Sequence, residues 1–327
     1  MTLDPIALAK DIIAGKLLTQ DEAFALMNAR GAQLSAFFAG AHLLKEKQFG
    51  DKIELCSIIN AKSGRCSENC AFCAQSAHHQ TDAPVFPLKS YREIMAQARA
   101  AADEGSHCFG IVTSGTRIGA EDELATILAA IREIKATLPI DPSASLGILS
   151  RDTAQQLVAA GCVTYHHNLE TARSFFASVC TTHAYDEDIE TVKIAKDAGM
   201  NVCCGGIFGL GESLEQRIEL AFTLRELDVD SVPINFLNPI AGTPLQNNRD
   251  LTPLDCLRII ALFRYTLPRQ RISVCGGREP NLRDFQSWLT IAGASGAMIG
   301  NYLTTTGRDR DSDLQMFRDA EVTIDAC

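Results

Sequence analysis

An α/β fold, a closed (β/α)8 barrel of the TIM type behind an N-terminal helical extension, is predicted because eight short strand-like runs alternate with amphipathic stretches and no Pro/Gly/Ser-rich linker divides the 327 residues. The first 50 residues interrupt every apolar run with Asp, Lys or Glu and form the extension. The barrel then occupies 51–320, and residues 321–327 are a C-terminal tail. Strands are expected at 53–59, 107–113, 142–148, 163–169, 201–209, 231–237, 271–275 and 296–300. Helical periodicity fills the gaps at 90–105, 121–138, 150–161, 186–199, 213–228 and 251–268, with several segments opening on a Ser, Asp or Thr cap and closing at Gly or Pro. Such a barrel carries its chemistry on the loops after the C-terminal ends of its strands. The long loop after the first strand is therefore the first place to look.

Composition narrows the function classes. With 46% hydrophobic residues the chain buries a large core, and 40 acidic against 30 basic side chains give a net charge of −10. That balance excludes a phosphate-backbone partner, which needs a basic excess on one face, so no nucleic acid is expected. No run of about 18 uncharged apolar residues exists, and the N-terminus lacks the continuous apolar stretch of a signal peptide. A soluble, cytoplasmic protein without membrane contact is expected. Twelve cysteines in such a chain read as metal ligands, catalytic thiols or small buried hydrophobes before they read as disulfides.

Three of them, Cys66, Cys70 and Cys73, stand together in KSGRCSENCAFCAQS. A structural zinc site closes a tetrahedron with four ligands, usually from paired knuckles, and C-x3-C-x2-C without a second knuckle fits that poorly. Plain buried thiols fit no better, because the surrounding residues are polar and leave sulfur open to oxidation. An iron–sulfur cube takes thiolates on its irons, and three ligands leave one iron open for another molecule.

C-x3-C-x-F-C resembles the signature of the radical S-adenosylmethionine enzymes, in which the open iron is chelated by the methionine part of the cofactor. The resemblance implies a 4Fe–4S cluster on Cys66, Cys70 and Cys73, S-adenosylmethionine as cofactor, and Phe72 against adenine. SIINAKSGRCSENCAFCAQS, YHHNLET, CGGIFGLGES, SVPINFL, GGRE and YLTTTG are similar, in order and spacing, to the biotin synthase family, over about residues 50 to 320. That family implies a sulfurtransferase that converts dethiobiotin to biotin, fed electrons by a flavodoxin or ferredoxin and working as a homodimer.

Several residues suit those roles on their own chemistry. Asn168 and Glu170 lie two apart at a strand end, share a face, and offer an amide and a carboxylate to two ribose hydroxyls. Gly205, Ile207, Gly209 and Glu212 follow the family's G-x-I-x-G-x-x-E pattern at the adenine, where glycine allows close backbone approach. Asn235 can donate to and accept from a ureido group. Thr305 and Thr306 resemble the groups that hold the substrate carboxylate, with helix N-capping the alternative. His166 stands where the family usually has asparagine, and reads either as a dethiobiotin contact or as a satisfied core histidine.

The sequence departs from the family at its second metal site. There the family implies a 2Fe–2S cluster, the source of the inserted sulfur, held by three cysteines and an arginine. Those positions fall on Gly110, Ser143, Cys203 and Ser273. Cys108 precedes Gly110 by two and Cys275 follows Ser273 by two, so both are expected to project into the barrel from the same strand faces. A different auxiliary iron–sulfur cluster is expected on Cys108, Cys203 and Cys275, with four irons and an extra sulfide on the fourth. Cys204 is expected to point away from the lumen. Cys56, Cys162, Cys256 and Cys327 read as small buried hydrophobes or bystanders, Cys180 as a thiol within possible reach of the cavity, and His78 and His79 as solvent-facing. Two other readings stand: a relative of the hydrogenase-maturase or methylornithine-synthase type acting on another small molecule, and a non-enzymatic carrier of electrons or clusters, which has no use for a ribose pair.

Overall fold

The structure, a computed structural model, describes residues 3–324. Nine strands build the barrel wall: β1 (Lys52–Lys62), β2 (Cys108–Thr113), β3 (Asp141–Ser145), β4 (Thr164–His166), β5 (Asn201–Cys203), β6 (Gly206–Phe208), β7 (Ser231–Phe236), β8 (Arg271–Val274) and β9 (Gly296–Met298). All pair in parallel, and β9 returns to β1 through Glu54–Gly296, Leu55–Ala297 and Cys56–Met298, which closes the sheet. β5 and β6 are two halves of one stave: Cys203 pairs with Ser231 and Gly206 with Ile234, both on β7. The break falls opposite Pro233, which has no N–H to donate. Gly205 crosses that point, and a Cβ on it would stand 2.1 Å from the Pro233 carbonyl oxygen. The eight predicted strands thus all occur, one of them divided.

Along β1, Ile53, Leu55, Ile59 and Ala61 are buried in the apolar layer under the helices. The alternate residues Glu54, Cys56, Ile58 and Asn60 face the lumen, as a period of two requires. The outer ring comprises α4 (Tyr91–Asp103), α5 (Glu121–Thr137), α6 (Arg151–Ala160), α8 (Tyr185–Asp197), α9 (Leu214–Glu226) and α10 (Pro253–Thr266), with a single turn α7 (Arg173–Phe176) inside the β4 loop. Ser90, Ser150, Ser213 and Thr252 cap α4, α6, α9 and α10 through their hydroxyls.

The extension is three helices, α1 (Pro5–Ile13), α2 (Gln20–Met27) and α3 (Ala32–Phe49), packed on the barrel's flank against α9 and α10. Tyr265 of α10 reaches through to donate to the Pro5 carbonyl at 2.8 Å. It fills the space over Gly40, where a Cβ would overlap its hydroxyl. The C-terminal segment differs from a plain tail. After α11 (Arg278–Leu282) and a 3-10 turn over Arg283–Leu289, α12 (Arg310–Asp319) leads into β10 (Thr323–Ile324), which pairs with Lys52 and Ile53. Cys327 lies outside the described residues.

Candidate active site

A cavity of about 460 Å³ opens at the C-terminal ends of the strands. Cys66, Cys70 and Cys73 all line it, on the loop that follows β1. The loop is shaped before any metal arrives. Cys66 N–H donates to the Gln75 carbonyl (3.0 Å) and Ala77 N–H to the Cys66 carbonyl (2.8 Å), while Cys73 N–H closes a turn on the Cys70 carbonyl (3.0 Å). The buried Gln75 amide oxygen accepts from Ser63 Oγ and Gly64 N–H, which fixes the approach. Burial pushes the Cys73 thiol up to about 11, so a metal taken up there would displace its proton.

Behind the loop lies a charged group that short-range sequence patterns do not reveal. His183 donates to Glu68 Oε2 from Nδ1 (2.6 Å) and to Asp188 Oδ2 from Nε2 (3.2 Å), and Asp188 Oδ1 also takes His167 Nε2 at 2.8 Å. Hydrogen bonds to Asp188, Cys180 and Glu68 hold His183 up at about 11, against its burial, so the imidazole is a cation. Glu68 is desolvated, yet hydrogen bonds from Thr116, Thr182 and His183 keep its carboxyl below the usual range. Cys180 sits 3.4 Å from His183 Nδ1 and 3.7 Å from Cys70 Sγ. That contact with Cys70, and then His183, draws the Cys180 thiol down to about 3 and the Cys70 thiol correspondingly up.

On the β4–β6 wall, Asn168, Glu170, Phe72 and Ile207 line the cavity. Glu170 adopts φ +62, a left-handed turn that swings its carboxyl inward. Asn168 Nδ2 reaches Glu170 Oε2 at 3.4 Å, and Asn168 Oδ1 accepts from Gly205 N–H at 3.1 Å. Burial first, then the charge of Asp188, raises the Glu170 carboxyl to about 8. Phe72 and Ile207 belong to a small apolar cluster with Val179, Leu210 and Leu237, which gives this part of the cavity wall an apolar surface. Gly205 and Glu212 do not line the cavity. Glu212 is buried, accepts from Gly209 N–H and Leu210 N–H (2.8 Å) and pairs with Arg217 Nε at 2.8 Å. Its carboxylate braces the turn, and Gly209, at φ +92, supplies the left-handed backbone that the turn needs.

Deeper in, His166 Nε2 meets Ser143 Oγ at 2.9 Å. Burial lowers the His166 value to about 4, so the ring is neutral. Asn235 lines the cavity and spans two backbone groups, donating to the Gly206 carbonyl (3.3 Å) and accepting from Gly276 N–H (2.9 Å). One amide hydrogen and one oxygen lone pair remain for a ligand. On the last loop Thr304 and Thr305 line the cavity, whereas Thr306 is exposed and turned off it. Neither caps a helix, since Asp309 caps α12. Tyr302 Oη donates to Glu279.

Cys108, Cys203 and Cys275 face the lumen. Cys108 Sγ donates to Ser143 Oγ at 3.1 Å, Cys203 pairs with His166 across the sheet, and Cys275 lines the cavity floor. Burial raises the thiols of Cys108 and Cys203 to about 12 each. A Cβ on Gly110 would meet Ile58 Cγ2 at 3.1 Å and Ser143 Oγ at 3.4 Å, so Gly110 faces the same lumen as Cys108. Cys204, one residue on, packs into the apolar core on the other face, and Cys162 and Cys256 do likewise. Cys56 does not. It alternates with the lumen-facing Ile58 instead of packing as a core hydrophobe, and it interacts with the sulfur of Cys275. The period-two pattern of β1 already held that signal. His78 is exposed, while His79 is half-buried and its Nε2 contacts the Cys70 carbonyl oxygen at 3.0 Å.

The donor sets fit iron–sulfur chemistry: three thiols on a preformed loop beside a carboxylate–amide pair, and further thiols held below them where no apolar core claims them. Among the described residues no helix is long and apolar enough to cross a membrane.

Comparison with known proteins agrees with this geometry. Residues 61–224 match the Radical SAM superfamily, and residues 233–323 match the Biotin and Thiamin Synthesis associated domain. The chain is 60% identical to a biotin synthase from Geotalea daltonii over 98% of its own length and 97% of the relative's. It is 58% identical to that of Syntrophotalea carbinolica over the full length of both. Methylornithine synthase superposes with a TM-score of 0.85 at 19% identity, covering 97% of each chain. HydG, a maturase of the FeFe-hydrogenase, does so at 0.85 and 17%, covering all of this chain and 76% of its own. At those identities the structural likeness speaks for the fold alone.

Proposed function

The chain belongs to the biotin synthase family, and from that premise we propose that it closes the thiophane ring of biotin by placing one sulfur between two saturated carbons of dethiobiotin, each carbon losing one hydrogen atom to a 5′-deoxyadenosyl radical, so that two equivalents of S-adenosylmethionine are consumed. The observation that carries the reading is the convergence on one cavity of Cys66, Cys70 and Cys73, the Asn168/Glu170 pair, and Cys275 at its floor. When bound at the first three thiols, a 4Fe–4S cluster supplies the electron that splits S-adenosylmethionine into methionine and a 5′-deoxyadenosyl radical.

The protein's own groups position the two substrates. Asn168 and Glu170 hold the ribose hydroxyls, with Glu170 ionising as it accepts them, and Phe72 and Ile207 offer the adenine an apolar surface. Gly205 and Glu212 act one step back, by setting the strand break and the turn that present Ile207. Neutral His166 and Asn235 receive the ureido group, and the 302–306 loop receives the carboxylate through Thr305 and its neighbour Thr304. Cys108, Cys203 and Cys275 would hold an auxiliary iron–sulfur cluster of four irons, which would supply the sulfur that the substrate receives. A flavodoxin or ferredoxin delivers the electrons, and the enzyme works as a cytoplasmic homodimer of three-part chains: helices 1–50, barrel 51–320 and a short C-terminal segment.

Anaerobic incubation with dethiobiotin, S-adenosylmethionine and a reductant, followed by mass detection of biotin, tests the reaction. 5′-Deoxyadenosine without biotin points instead to another small substrate. Change of the reduced cluster's spectrum on adding S-adenosylmethionine separates an enzyme from a mere cluster carrier. Iron and acid-labile sulfide analysis tests the auxiliary site: about four irons per chain in total, unchanged in Cys108→Ala, would mean that only the first cube exists.

A further inference from the structure

Four thiols face the barrel lumen, Cys275 at the cavity floor and three others on the neighbouring strands. Among the described residues, the cysteines outside the first loop fall into two groups by what surrounds them. Cys162, Cys180, Cys204 and Cys256 pack within the main apolar core, whereas Cys56, Cys108, Cys203 and Cys275 stand outside it. Strand pairing orders this second group around the lumen. Cys56 on β1 is the register partner of Cys108 on β2 and of Met298 on β9. Ser143 and His166 continue from Cys108 to Cys203. Cys275, just past β8, approaches the sulfur of Cys56 from across the short strand β9.

Cys56 thus occupies the gap in the ring between Cys275 and Cys108. Its Sγ also makes a long contact, 3.7 Å, with the Ala297 carbonyl oxygen. Below the thiols, Arg271 pairs with Glu54 in the lumen.

We propose that Cys56 is the fourth protein ligand of the auxiliary cluster, its thiolate binding the iron that Cys108, Cys203 and Cys275 leave open. This rests on the reading that those three thiols hold a four-iron cluster. Ligation exchanges the thiol proton for an Fe–S bond with no change in oxidation state, and the proton leaves to solvent. One consequence is specific: an added sulfide reaches the fourth iron only by displacing Cys56, so the resting cluster is closed and the sulfur-loaded one is not.

The test uses the full chain with Cys66, Cys70 and Cys73 all replaced by Ala, so that only the barrel cluster forms on anaerobic reconstitution with iron-57 and sulfide. About four irons are expected in this parent, with a Mössbauer spectrum insensitive to cyanide. Adding Cys56→Ala should keep most of the iron but open one site, so that cyanide shifts one quarter of the iron signal and mild oxidation yields a three-iron EPR signal. Cys56→Ser, which keeps the volume, should shift one iron site without cyanide. A parent with four irons whose cyanide response and spectrum match those of both variants overturns the role of Cys56 alone. A parent that takes up no cluster overturns the three-thiol reading and the inference with it.

Discussion

Cys180 Sγ lies 3.7 Å from Cys70 Sγ, on a loop tied to the cluster loop by His183 and Glu68. Cys180 is held as a thiolate beside the imidazolium cation, and a thiolate next to a second cysteine is the arrangement from which disulfides form. In the iron-free protein, air should therefore join the two, with oxygen taking two electrons and the thiols losing their protons. Peptide mass mapping without reductant should find a Cys70–Cys180 link. Cys180→Ser should then take up its first cluster after air exposure without added thiol. Absence of the linked peptide would refute this.

Glu212 is assigned to the turn and not to the cofactor, and the two roles differ in measurement. Glu212→Ala strands the N–H donors of Gly209 and Leu210 and the Arg217 guanidinium, at a cost of about 3 kcal/mol. The expected result is a clear fall in Tm with a secondary loss of S-adenosylmethionine affinity. Ile207→Ala should lower that affinity with little change in Tm. Equal Tm for wild type and Glu212→Ala would return the residue to the cofactor.

Arg278 and Asp313 form a buried two-pronged ion pair, 3.1 and 2.5 Å, that fastens α12 to α11. Arg308 joins from the end of the 302–309 loop, both to Asp313 and, through its N–H, to Glu279. Removing one member leaves a buried charge unpaired, so Asp313→Ala should destabilise the chain by about 3–5 kcal/mol. Hydrogen exchange should quicken in 302–309, and KM for dethiobiotin should rise while S-adenosylmethionine affinity holds. Unchanged exchange in that loop would detach it from the ion pair.

His166 sets a pH dependence of known sign. Its folded value of about 4 lies below the ordinary 6.5, because burial disfavours the cation. The unfolded chain then binds the proton first on acidification, so stability present above pH 6.5 is lost as pH falls towards 4. The loss between pH 7 and 5 amounts to about 2 kcal/mol from this one group. Denaturant titrations at the two pH values should show a smaller loss in His166→Asn by that amount, and an identical loss would place the acid sensitivity elsewhere.

Strand order, helix order and the first metal loop were legible because each rests on local spacing. Alternation at two marked β1, capping hydroxyls marked α4, α6, α9 and α10, and C-x3-C-x2-C lay within eight residues. The division of β5 from β6 was visible only as a proline in a neighbouring strand. Glu212 followed a motif yet serves its own turn, and Thr304, not Thr306, joins Thr305 on the cavity wall, since the facing of a loop depends on what ties it down. Cys56 carried the right periodicity but no neighbour in sequence that gave the periodicity a meaning.

By itself the chain of residues determined the barrel, the preformed three-thiol loop and the family to which the protein belongs, because periodicity, capping and motif spacing act over a few residues. Only the tertiary structure decided that Cys56 meets Cys275 and that Glu68 meets His183, pairs separated by 219 and 115 positions. Those meetings follow from barrel closure and strand register, which bring distant strands side by side through hydrogen bonds that no local pattern encodes.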